Sequence, residues 1–101
     1  MQMLMHVRFP IERFNAAVRD GSVGQKLQRV LEAVKPQATY FNAAQGKRGG
    51  ILVVTVNEPS DIPRLAEPFF LTFDAEVDFE PFMTAEDLAS AGLDALGKEW
   101  G

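Results

Sequence analysis

The chain contains no cysteine and only one histidine, one tryptophan and one tyrosine. Without thiols there are no disulfides, no thiolate nucleophiles and no thiolate metal sites. A single imidazole offers no clustered nitrogen ligands, so no zinc centre is expected. Basic charge is scarce too. Ten Lys and Arg stand against 14 Asp and Glu, giving a net charge of −4. That balance argues against a broad surface for nucleic acid or for an anionic membrane. Apolar residues never run on for the ~20 positions of a membrane span. No charged-then-apolar leader opens the chain. The lack of cysteine suits a reducing compartment, and a cytoplasmic location is expected.

Apolar residues make up 47% of the 101 positions, enough to fill one core, so a single domain over residues 1–101 is expected. A domain this small would gain from burying further surface by self-association. Residues 2–9 alternate, with Met3, Met5, Val7 and Phe9 on one face and Leu4, His6 and Arg8 on the other. That is strand periodicity, ended by Pro10. Ile11, Phe14 and Val18 then mark a short helix over 11–19, and Asp20-Gly21 marks a turn. Ser22 stands three residues before Gln25, a capping-box spacing, at the head of a helix running to Val34. A second strand is expected over 38–44 and a third over 51–57, joined by a glycine-rich turn at 45–50. A helix over 61–73, capped by Ser60 and Asp61, is expected to kink at Pro68. Phe69, Phe70 and Phe73 on it are assigned to the core. Residues 75–82 alternate again. Thr84 and Asp87 cap one C-terminal helix carrying Leu93, Leu96 and Trp100. So large an aromatic near a chain end calls for a docking surface, on its own subunit or on a partner.

The order is βαββαβ plus a terminal helix. It predicts an α+β, ferredoxin-like fold with a four-stranded antiparallel sheet and helices on one face. Strand 1 then lies between strands 3 and 4. The face turned away from the helices carries Leu4, His6, Arg8, Tyr40, Asn42, Val53, Thr55, Asp78, Glu80 and Phe82. Such a mixed face suits a covered, wet cavity, and a second copy of the same sheet is the simplest cover.

The element order, the length and this sheet face resemble the dimeric α+β-barrel superfamily. Within it the chain is similar to small muconolactone-isomerase-like proteins. The stretches Lys35–Phe41, Arg48–Ile51, Glu67–Phe73 and Met83–Leu88 carry the likeness. The resemblance implies a homodimer or a higher assembly, with a small-molecule ligand and no cofactor. It specifies no reaction, because that superfamily spans isomerases, cyclases, monooxygenases, haem-linked enzymes and plain binders.

An imidazole can take and return a proton near neutral pH, which makes His6 the candidate proton carrier. Asp78 or Glu80 would orient it. Arg8 can clamp a substrate carboxylate, or instead form a structural ion pair with Asp78 or Glu80. Tyr40, Asn42 and Thr55 can hold a carbonyl or enolate oxygen, or serve as interface packing. Two functions follow. One is a cofactor-independent, isomerase-like enzyme acting by acid–base chemistry on a small carbonyl or lactone compound. The other is a non-catalytic dimeric protein for ligand binding or assembly. The 45–50 stretch lacks the spacing of a phosphate loop and reads as a turn.

Overall fold

A computed structural model describes residues 1–101. β1 (Gln2–Arg8) leads into α1 (Ile11–Asp20) and α2 (Val23–Val34). The hairpin of β2 (Ala38–Ala44) and β3 (Lys47–Thr55) follows, then α3 (Asp61–Phe73) and β4 (Glu76–Pro81). The chain ends in α4 (Ala85–Ala89) and α5 (Leu93–Trp100). The four strands form one antiparallel sheet in the order β2-β3-β1-β4. The fold is α+β and ferredoxin-like, as the alternation predicts. No helix is long and apolar enough to cross a membrane.

One sheet face lies under the helices. Met5, Val7, Leu52 and Val54 from the strands meet Val30 and Val34 from α2 and Leu65, Phe69 and Phe73 from α3. Phe9 follows β1 and makes an edge contact with Phe73, their ring centroids 5.0 Å apart. Arg13 ties α1 to the end of α3 through the Asp74 carboxylate and, at 3.1 Å, the Thr72 carbonyl.

The hairpin turn is shorter than expected. Gln45 and Gly46 both have positive φ, 57° and 76°, and close a two-residue loop. β3 therefore begins at Lys47 and takes in Gly49 and Gly50, which the sequence reading placed in the turn; it ends at Thr55. Position 49, paired with Arg8 and Asn42 in the ladder, is glycine because a side chain does not fit there. A Cβ would stand 2.6 Å from the Val7 carbonyl oxygen and 3.0 Å from the Asn42 side chain. Gly49→Ala is expected to destabilise by about 1–3 kcal/mol, the usual cost of forcing a methyl into filled space. Urea unfolding checks this as a lower midpoint at unchanged slope.

Other local expectations are corrected. Ser22 builds no capping box: its backbone is already helical (φ −86°, ψ −9°), whereas a cap needs an extended residue. Its hydroxyl is buried without a partner. Pro68 does not end α3, which continues over Asp61–Phe73, and Ser60 makes no side-chain cap. Asp61 instead receives the backbone N–H groups of Asn57 and Glu58 at 2.9 and 3.1 Å. Phe70 is exposed rather than core.

The end of the chain departs most from expectation. It forms two short helices, not one, because Gly92 takes a left-handed turn (φ 72°) between them. Trp100 does not dock on its own chain and is 81% exposed. The Thr84–Asp87 capping box does form, at 3.1 and 3.0 Å. The Thr84 backbone N–H, and then its side chain, hold the Asp87 carboxyl below its ordinary value. A lowered folded-state value stabilises α4 above the ordinary carboxylate range. That contribution is lost as pH falls through the lowered value. Amide exchange is expected to show α4 opening below about pH 4, and Asp87→Asn is expected to remove that pH dependence.

Candidate functional site

The other face of the sheet is open, and strand register decides what meets there. His6 stands opposite Ile51 on β3 and Asp78 on β4. Leu4 stands opposite Val53 and Glu80, and Arg8 opposite Gly49 and Glu76. Tyr40 pairs with Ile51, and Asn42 with Gly49. His6, Arg8, Tyr40, Asn42, Asp78 and Glu80 therefore share one face. Thr55 shares it but stands opposite Gln2, four residues along β3 from Ile51. At about 3.4 Å per residue it is more than 13 Å from His6, outside the cluster.

His6 Nε2 meets Glu80 Oε1 at 2.9 Å, with the two side chains 40% and 61% exposed. The carboxylate comes from the diagonal neighbour rather than from the directly opposed Asp78. Diagonal positions on a sheet are about 7–8 Å apart, within reach of a long side chain but not of a short one. An ionised carboxylate only accepts hydrogen bonds, so Nε2 carries the proton and donates it to Glu80. In the neutral ring this leaves the lone pair on Nδ1, which makes no protein hydrogen bond. That is the arrangement of an oriented base.

Arg8 forms neither ion pair considered for it. Nη1 donates to the Ala44 carbonyl at 2.8 Å, across the bare Gly49 backbone. Most of its five N–H donors stay uncommitted, so an anion can still be bound. Tyr40 is 65% exposed, and Asn42 is exposed beside it. Ile51 and Glu76 also belong to this face; the strand 4 alternation sets Glu76 with Asp78 and Glu80, whereas the sequence reading passes over Ile51. Simple alternation finds them: Ile51 two before Val53, and Glu76 two before Asp78.

Within one chain the site is not enclosed. The hollow beside His6, Arg8, Glu76 and Asp78 holds about 40 Å³. Small-molecule sites usually offer ~300 Å³ or more. A groove of about 680 Å³ lies elsewhere, between α2 and α3, with Arg29, Arg64 and Glu67 at its rim. It is larger, but it sits on the outer helix layer and holds no histidine. The His6–Glu80 pair is the better chemical candidate despite the smaller hollow.

No family model matches the chain, and no curated protein is similar to it in sequence. A solved structure is similar in fold: the 5-chloro-2-hydroxyhydroquinone dehydrochlorinase TftG from Burkholderia phenoliruptrix AC1100, in complex with 2,5-dihydroxybenzoquinone. The likeness has a TM-score of 0.62 at 15% identity and covers 86% of this chain and 98% of that one. The two proteins share the ferredoxin-like α+β fold.

Proposed function

We propose that this protein is a small enzyme that moves protons on a small carbonyl or lactone compound, without a cofactor, inside a barrel made by two copies. The observation that carries the reading is the His6 Nε2–Glu80 Oε1 contact on the open sheet face. It leaves Nδ1 free to take a proton from a carbon beside a carbonyl. Arg8 is the anion clamp, and Tyr40 and Asn42 hold the oxygen on which charge develops. Leu4, Ile51 and Val53 supply an apolar floor. The reading gains support from the fold neighbour, a dehydrochlorinase captured with a dihydroxybenzoquinone. The single-chain hollow is too small for a ligand, so a second sheet laid face to face would both cover and complete the site.

The test is a solvent-deuterium screen of small keto acids, enolisable ketones and lactones, read by proton NMR. Catalysed exchange at the carbon beside the carbonyl is the expected result. Binding without exchange, in wild type and His6→Ala alike, would favour the non-catalytic reading instead.

A further inference from the structure

Residues 83–101 do not belong to the body that precedes them. The molecule measures 60 × 29 × 18 Å with a radius of gyration of 17.3 Å. A compact domain of this length has about 13 Å. The excess is the C-terminal arm. From Met83 to Gly101 every residue is exposed, and the arm contributes nothing to the core. Yet it is not a solvated tail. Leu93, Leu96 and Trp100 fall at i, i+3, i+7 on α5, opposite Asp94 and Lys98, and Leu88 of α4 lines one hollow with Leu93. An amphipathic helix with nothing against its apolar stripe calls for a partner.

Charge identifies that partner. Residues 33–57, which include β2 and β3, hold Lys35, Lys47 and Arg48 and no acid. Residues 74–101, which include β4 and the arm, hold eight carboxylates against Lys98 alone. The sheet order puts β2 at one edge and β4 at the other. β2 itself is uncharged, and the cations Lys47 and Arg48 stand at the start of β3, so the β2–β3 half of the sheet is net positive and the β4 edge, with Glu76, Asp78 and Glu80, is negative. Two sheets stacked face to face can be related by a two-fold axis along the strands or across them. An axis across the strands sets acidic β4 over acidic β4. An axis along the strands sets each acidic β4 edge over the partner's β2–β3 half, which carries no acid. The second is favoured electrostatically.

The β2 edge also offers apolar surface. Tyr40 and Phe41 on β2 are 65% and 57% exposed. Behind Phe41 a slot of about 200 Å³ is lined by Phe9, Phe14, Leu27 and Arg48. It is the size of one large apolar side chain.

We infer that the arm of each copy straps the β2 edge of a second copy, laying the Leu93–Leu96–Trp100 stripe against Tyr40 and Phe41. This rests on the two-copy barrel of the preceding reading and adds to it the axis and the strap.

The absence of other tryptophans makes the test direct. The full chain is followed by sedimentation velocity over a dilution series, with acrylamide quenching of Trp100 measured on the same samples. A two-copy mass with Trp100 protected at high concentration and exposed on dilution is the expected result. Leu93→Asp with Leu96→Asp, both outside the core cluster, is expected to weaken association about tenfold or more and to expose Trp100. Lys47→Glu is expected to weaken it too, less at high salt. A two-copy mass with Trp100 quenched as freely as in the diluted chain would overturn the strap and leave the barrel standing. A single-copy mass at every concentration would overturn both. Protection of Trp100 in a single copy would mean that the arm folds on its own body, and would overturn the strap.

Discussion

Replacing His6 with alanine is expected to slow the proposed reaction about 10²–10⁴-fold, the usual contribution of a positioned general base. The loss should fall on kcat, because the imidazole acts on the reacting proton rather than on binding. Glu80→Gln is the informative companion. Glutamine keeps an oxygen that can accept from Nε2 and drops the charge that steadies the protonated ring. A smaller fall in kcat is expected, with little change in KM. Arg8→Gln should show the opposite split, a raised KM, if the guanidinium clamps an anionic substrate. All three side chains lie on the open face outside the core cluster, so each variant should fold, with Arg8→Gln losing only the bond to the Ala44 carbonyl. Equal kcat for His6→Ala and wild type would remove His6 from the mechanism.

Phe69→Ala is expected to cost about 3–5 kcal/mol of stability, the range for truncating a buried aromatic. Phe69 is 1% exposed and lies in the cluster that joins α3 to the sheet. Its ring centroid is 6.3 Å from that of Phe9. Alanine would leave a hole where α3, the hairpin layer and Phe9 meet, and few neighbours there can collapse to fill it. Small domains have only about 5–15 kcal/mol in total, so the variant should be near the edge of folding. Denaturant unfolding at matched protein concentration measures the loss. Leu71→Ala on the same helix, exposed and outside the cluster, should cost little.

Much of this fold is legible in the sequence, for a physical reason. Met3, Met5 and Val7 alternate with Leu4, His6 and Arg8 because one sheet face is buried and the other is not. The same alternation sets Val77 and Phe79 against Asp78 and Glu80, so the shared face of His6 and Glu80 can be anticipated. What cannot be read is which partner a polar side chain chooses. Arg8 donates to the Ala44 carbonyl, and a backbone acceptor leaves no mark on residue type. Gly49 resembles a turn residue, and its reason for being glycine lies in the neighbouring strand. Ser22 and Gln25 have the spacing of a cap, but the tight α1–α2 corner has already turned Ser22 helical. The arm is the largest departure. Leu93, Leu96 and Trp100 have the periodicity of a core-facing helix, and periodicity alone cannot say whose core it faces.

At 101 residues the protein suits residue-by-residue NMR, and the decisive measurement is a chemical-shift map. The compound that exchanges fastest in the deuterium screen is titrated into labelled wild-type protein. Shifts concentrated at His6, Arg8, Tyr40, Ile51 and Glu80 are expected if the open sheet face is the site. Shifts at Arg29, Ala33, Arg64 and Leu71, with His6 and Glu80 unmoved, would place binding in the α2–α3 groove and contradict the assignment.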